Sequence, residues 1–189
     1  AKTNGEQLIN NTTECEDDMT MTDLPDVAIH IERCRAEASL PFYAHPGDAG
    51  MDLRAAVNCV IEPGQTVAVP TGLRLAIPAG FEIQIRPRSG LSLHTPLRVP
   101  NSPGTIDSGF RDEVCVLLSN SGPSGSESAG EPWTLDTKGN KPGAYRVRVG
   151  DRIAQMVLAR VETIRWEETS SVREVGNDRG GGFGHSGIR

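Results

Sequence analysis

Aromatic residues are scarce in this chain: 2 Trp, 2 Tyr and 4 Phe among 189 residues. Its core has to be built from Val, Ile, Leu and Ala instead of stacked rings. Long apolar runs are missing too, and none approaches the roughly 20 residues a membrane helix needs. The N-terminal stretch is polar and acidic with no apolar h-region, so no export signal is expected. The chain therefore reads as soluble and cytoplasmic, with no membrane partner. No CxxC pair occurs among Cys15, Cys34, Cys59 and Cys115, and none of them lies near a His at metal-site spacing. Reduced thiols are expected, with Cys59 and Cys115 in strands. Positive charge is in deficit as well, 19 Lys and Arg against 25 Asp and Glu, a net charge of −6. That argues against non-specific nucleic-acid binding. Any polyanion must be held by a few placed arginines and backbone amides.

Turn residues are plentiful, with 21 Gly and 13 Pro. Residues 1–26 carry seven acids and one lysine and read as a disordered leader, with Met19 and Met21 as conceivable alternative starts. From Val27 to about Val161, short apolar stretches are split by turn residues at a spacing of roughly 8 to 12. "VAIHIERC" alternates, "PFYAHPGDAGMDLRAA" reads as loop then strand, and "EVCVLLSN" and "RIAQMVLARV" are strong strand patterns. Residues 59–90 are expected to hold three strands, with turns at Pro63-Gly64, Pro70-Thr71-Gly72 and Pro78-Ala79-Gly80. The pattern predicts an all-β barrel or sandwich over 27–170, with at most one short helix, "SGLSLHT", capped by Ser89. Residues 119–146 are rich in Ser, Gly and Pro and are expected to be an inserted surface loop, with Trp133 as its anchor. Residues 171–189 read as a glycine-rich C-terminal arm.

Four stretches carry chemistry. "RPRSGLS" (86–92) offers a planar cation at Arg88, a hydroxyl at Ser89 and a bare backbone at Gly90, a set suited to phosphate. The same residues would also serve as a capped turn with arginines facing solvent. "RGGGFGHSG" (179–187) joins a cation, flexible amides and one flat ring, Phe183. It reads either as an arm that closes on a ligand or as a frayed terminus. In "GTIDSGFRDEV" (104–114), Asp107 follows Ile106 at a strand end. A carboxylate held there can act as a general base for water, or can cap the "DSGF" turn through its side chain. Finally, Asp52 in "AGMDLRAA" should face away from Met51 and Leu53, and Gln155 lies in "GDRIAQM".

Taken in order, "AGMDLRA" (49–55), "RPRSGLS" (86–92), "NSPGTIDSGFRDEV" (101–114), "GDRIAQM" (150–156) and "RGGGFGHSG" (179–187) resemble the five motifs of trimeric dUTPases. The resemblance covers about 27–120 and 147–189. It implies a jelly-roll β-barrel in a homotrimer, with active sites shared between subunits and a glycine-rich arm closing over each. The reaction it implies is hydrolysis of dUTP to dUMP and pyrophosphate with Mg²⁺, which feeds thymidylate synthesis and keeps uracil out of DNA. By that resemblance Asp107 is the base for a water attacking the α-phosphorus. Asp52 is a second catalytic acid, holding with Gln155 the water shell of a metal ligated mainly by substrate phosphates. Arg88, Ser89, Gly90 and Gln155 contact phosphate. Asn101, Gly104, Thr105, Ile106 and Cys115 form the hairpin that reads uracil, and Phe110 lies against the sugar. Arg179 meets the γ-phosphate, and Phe183, Gly184, His185 and Ser186 close over the nucleotide. Three positions depart from the family pattern. Phe110 replaces a usual Tyr, Asp112 replaces a usual Gly, and the arm is one residue shorter between Arg179 and Phe183.

Two other readings use the same residues. A dCTP deaminase shares the implied fold, but its catalytic Glu would fall at Leu117, which can neither take nor give a proton. A regulatory module could instead use the acidic leader and the 119–146 insertion to contact another protein.

Overall fold

The computed structural model describes residues 26–123 and 130–180. Its elements in chain order are β1 (His30–Arg33), β2 (Gly50–Arg54), β3 (Cys59–Ile61), β4 (Thr66–Pro70), β5 (Leu73–Ala76), β6 (Phe81–Arg86), α1 (Ser89–His94), β7 (Leu97–Arg98), β8 (Gly104–Ile106), β9 (Cys115–Asn120), β10 (Trp133–Thr134), β11 (Tyr145–Val147) and β12 (Arg152–Arg160). The strands form four small sheets, β1-β5, β10-β11-β3, β2-β12-β6-β8 and β4-β9-β7. They close around one apolar core in the expected jelly-roll barrel. The leader lies outside the described residues except for Asp26.

The turn glycines set this layout. Gly64, Gly72 and Gly80 take φ of 80°, 73° and 84°, a region that side chains with a Cβ rarely adopt. Three such turns separate four strands, β3 to β6, so residues 59–90 hold one strand more than their apolar runs indicate. At Gly72 a Cβ would also come within 2.6 Å of the Ala38 side chain. Alternation does the rest. In β9, Val116, Leu118 and Asn120 point inward, and the core gathers Leu53, Ile83, Ile85, Ile153 and Met156 from the largest sheet. The buried Asn120 is satisfied: its Nδ2 donates to the carbonyls of Ile61 and Gly143, and its Oδ1 accepts from the Gly122 N–H.

Residues 119–146 are not one surface loop. Ser119 and Asn120 end β9. After residues 124–129, which lie outside the described set, the chain returns in β10 and β11, which pair in parallel, and β11 also pairs with β3. Tyr145, fully buried, anchors the segment, and its hydroxyl donates to the Lys141 carbonyl. Trp133, expected in that role, stays partly exposed, with Nε1 donating to the Pro142 carbonyl. Ser89 is not the cap of α1. It is the first helical residue, and Arg88 stands at the cap with no side-chain hydrogen bond to the helix. After β12, residues 161–180 are largely exposed and include one 3-10 turn, Val172–Glu174.

Candidate active site

The largest sheet carries one apolar and one polar face, as period-two strands must. Register aligns Asp52 of β2, Gln155 of β12 and Arg86 of β6 in one row on the polar face. Arg86 donates to Gln84 Oε1 at 2.6 Å from Nη2, and Gln84 Nε2 donates to Glu82 Oε1 at 2.6 Å. Beside this row opens a cleft of about 440 Å³, lined among others by Asp48, Asp52, Arg54, Arg86, Arg152 and Gln155.

Asp52 is the hub of that cleft. Its Oδ1 accepts from Arg88 Nε at 2.6 Å and its Oδ2 from Arg152 Nη1 at 3.2 Å. One half-buried carboxylate thus fixes two guanidiniums. Among the described residues, Arg88 Nη1 and Nη2 meet no acceptor, so the outer part of the fork stays free for another anion. Gln155 Nε2 donates to the Pro87 carbonyl at 3.0 Å and ties β12 to the segment leading into α1. Gly50 makes room for this, since a Cβ there would lie 2.9 Å from Gln155 Oε1. Ser89 and Gly90 are exposed at the start of α1, and a Cβ on Gly90 would meet nothing within 4 Å. Arg152 is the residue the motif reading passed over, although it stands inside the quoted "GDRIAQM".

The second group lies at the other end of β6. Gly104, Thr105 and Ile106 pair with Ile85, Gln84 and Ile83. Asp107 therefore leaves the sheet at about the level of Glu82. That is four residues along β6 from the Asp52 row, roughly 13 Å at about 3.3 Å per residue. The turn after it is closed by the backbone, with the Phe110 N–H donating to the Asp107 carbonyl at 3.0 Å. The exposed Asp107 carboxylate makes no hydrogen bond to any described residue, so it is not the turn's cap. Phe110 is half-buried against the core. A Cβ on Gly104 would lie 3.0 Å from Asn101 Nδ2, a tight contact that the Asn101 side chain would have to relieve by shifting. Cys115 is half-buried opposite Pro70, and burial pushes its thiol up. Asp112 is exposed and does not adopt positive φ, which among the described non-glycine residues only Asn140 does. The glycine usual in the family is thus not required here by backbone conformation.

Glu113, in the same stretch, has a different function. Its Oε1 accepts from Arg35 Nε at 2.6 Å and from the Gly72 N–H at 2.9 Å, and its Oε2 from Arg35 Nη2 at 2.7 Å. The hydrogen-bonded Arg35 holds the Glu113 carboxyl below the usual carboxylate range. Arg179 is exposed in the trailing segment, next to Gly180, whose N–H donates to Asp178 Oδ1. Phe183, Gly184, His185 and Ser186 lie outside the described residues. One chain thus brings together Asp52, Arg88 and Gln155, and separately Asn101 to Asp107 with Phe110.

Comparison with known proteins shows what the whole chain is similar to. The dUTPase family model matches residues 36–125. The deoxyuridine 5'-triphosphate nucleotidohydrolase of Solibacter usitatus is 45% identical over 162 residues, 84% of this chain and 95% of that protein. The chain belongs to the dUTPase family. The enzyme of the same name from Anaplasma marginale is 46% identical over 150 residues, 78% of this chain and 88% of its own. Among solved structures, a mutant of the Staphylococcus bacteriophage 80alpha dUTPase with dUpNHpp superposes with a TM-score of 0.76 at 26% identity, over 85% of this chain and 99% of that one. Among the described residues, no helix is long and apolar enough to cross a membrane.

Proposed function

We propose that this dUTPase-family chain hydrolyses dUTP to dUMP and pyrophosphate, with Asp107 as the base for the attacking water. The observation that carries the reading is the Asp52 hub, which presents Arg88 and Arg152 as fixed cations with free hydrogen-bond capacity beside a cleft. Such preset charge stabilises a phosphoryl transition state without reorganising as the reaction proceeds. Ser89, Gly90 and Gln155 border the same region and complete the phosphate contacts. Asn101, Gly104, Thr105, Ile106 and Cys115 form a narrow backbone edge that reads a pyrimidine. Phe110 keeps the ring that lies against the deoxyribose. Arg179 and the arm beyond it, with Phe183, Gly184, His185 and Ser186, close over the bound nucleotide.

No group of three or more His, Cys, Asp or Glu side chains able to hold a metal occurs among the described residues. The half-buried Asp52 carboxylate beside the cleft suits Mg²⁺, an ion that keeps its waters and binds phosphate oxygens in preference to a protein cage. Asp52 and Gln155 would hold its water shell, and the ion would supply charge neutralisation for the triphosphate. The protein's own part is to orient the phosphates with Arg88 and to take a proton from water at the Asp107 carboxylate.

Asp107 and the Asp52 row stand about four residues apart along β6, and Asp107 is not among the described residues that line the Asp52 cleft. The reading therefore includes a homotrimer in which Asp107 of one copy serves the Asp52 cleft of another. It also places the enzyme in the cytoplasm and gives it no nucleic-acid partner, in keeping with the net charge of −6.

The test is pyrophosphate release from dUTP, dCTP, dTTP and UTP with Mg²⁺. A strong preference for dUTP is expected, and equal rates on all four would sink the reading. Asp107→Asn should lower kcat by roughly 10²- to 10⁴-fold. Near-normal turnover in that variant would remove the general-base role.

A further inference from the structure

The 130–146 segment does more than cover β3. Its chain turns at Thr134, with the Thr137 N–H donating to the Thr134 carbonyl at 3.0 Å and the Thr134 hydroxyl bonded to Asp136. It then reaches α1 at Asn140, the one described non-glycine residue with positive φ, at 49°. There the Asn140 N–H donates to the His94 carbonyl at 2.9 Å, and its Nδ2 donates to the Leu93 carbonyl at 3.2 Å. These carbonyls end the last turn of α1 and have no partner within the helix. The insertion is therefore clasped to the element that follows Arg88.

That clasp builds a second cleft, of about 320 Å³, walled on one side by Arg88, Gly90, His94 and Arg152 and on the other by Asp136 and Lys138 of the insertion. Two acids also line it, each accepting a hydrogen bond from a neutral group. Asp136 accepts from the Thr134 hydroxyl, which holds it below the usual carboxylate range. Asp151, also on the wall, accepts from the Arg148 N–H at 2.8 Å. Lys138 is exposed, and its ammonium meets no acceptor among the described residues. Three cations with spare donors, Arg88, Arg152 and Lys138, thus face one cavity that adjoins the Asp52 hub.

We infer that Lys138, contributed by the insertion, is a further diphosphate-binding cation, acting across this cleft from the phosphate-binding Arg88. The ligand is either the β,γ-diphosphate of the bound nucleotide or the released inorganic pyrophosphate, which share the same chemistry. The inference rests on the dUTPase reading for its substrate. Lysine suits this place because it offers a mobile point charge to a group that must leave after each turnover. Arg88 lines this cleft and pairs with Asp52 in the first, so a triphosphate held by it can extend its distal phosphates toward Lys138.

The test uses the full chain with Mg²⁺ and three variants, Lys138→Ala, Lys138→Glu and Lys138→Arg. Inhibition by inorganic pyrophosphate and by dUMP is measured beside KM for dUTP, and pyrophosphate binding is measured directly by calorimetry. Lys138→Ala should weaken pyrophosphate by roughly tenfold, the low end for a contact between charged groups. Lys138→Glu should weaken it further, Lys138→Arg should restore it, and dUMP affinity should stay unchanged in all three. A raised KM for dUTP alongside weaker pyrophosphate assigns the cleft to both ligands. An unchanged KM restricts it to the product. Pyrophosphate binding indifferent to Lys138→Glu, or a loss shared equally by dUMP, would overturn the inference. A wild type that binds pyrophosphate through Lys138 yet leaves dUTP intact would defeat the dUTPase reading and leave the cleft standing.

Discussion

Of the arginine and carboxylate contacts among the described residues, those at Glu113 and at Asp52 are built to opposite ends. At Glu113 everything is closed. Both oxygens are filled by Arg35 in a two-pronged contact, and the Gly72 N–H takes a third place. The pair ties the segment after β1 to the β4-β5 turn and to the start of β9. At Asp52 the carboxylate is divided between Arg88 and Arg152, one contact each, and the outer nitrogens of Arg88 are left unspent beside a cleft. The same chemistry, saturated, holds chain segments together. Left partly open, it holds cations ready for a ligand. Exposed ion pairs as such contribute little to stability, so what separates the two is which groups remain free.

The comparison breaks most visibly at Arg88. Replacing Arg88 by Ala removes a preset cation and should cut kcat/KM for dUTP by roughly 10²- to 10³-fold, with little change in melting temperature. The stronger form of the experiment joins two dead variants. Asp107→Asn and Arg88→Ala lie in the two separate groups of one chain. Co-expressed, they should regain turnover that neither has alone, because some mixed assemblies would pair an intact Asp107 with an intact Arg88. No recovery in mixed trimers would mean that both groups act within one copy. A collapse in melting temperature for Arg88→Ala would make the Asp52 hub structural, like the Glu113 pair.

How much of this difference the sequence shows depends on range. Asp52, Arg88 and Gln155 stand in short motifs whose residue types speak for themselves, and alternation places Asp52 opposite Leu53. The turn glycines mark strand ends because φ near 80° is a local property. The partner of Glu113 is another matter. Arg35 lies 78 residues earlier, and nothing in either neighbourhood announces the pair. Strands β10 and β11 have two and three residues, too short for a period to show. A Ser- and Gly-rich composition hides the fact that Tyr145 pins them to the core. Lys138 looks like solvent decoration until Asn140 brings its turn against α1. Local rules reveal what each segment can be, while contacts between distant segments decide which cations stay free.

A smaller effect should sharpen the other side of the comparison. Glu113→Gln keeps an acceptor for the Gly72 N–H and removes the charge that Arg35 grips. Its melting temperature should fall by a few degrees while KM for dUTP stays near the wild-type value. A change in KM with no change in stability would place Glu113 in the substrate site and erase the contrast with Asp52.

The smallest expected effect is in pH. Arg35 holds the folded-state Glu113 carboxyl below the ordinary glutamate value, the Gly72 N–H adds to this, and burial opposes it. In the unfolded chain the group titrates at its ordinary value. Above that value both states are ionised, and the pair's contribution to stability is fully present. As pH falls, the unfolded chain takes up its proton first, so the contribution shrinks until the folded carboxyl protonates as well. Denaturation midpoints of wild type and Glu113→Gln should therefore differ by a constant amount through neutral pH and converge in acid, below the ordinary glutamate value. A wild-type advantage over Glu113→Gln that persisted unchanged through the acid limb would mean that the clamp works by shape and hydrogen bonding, not by the charge Arg35 holds.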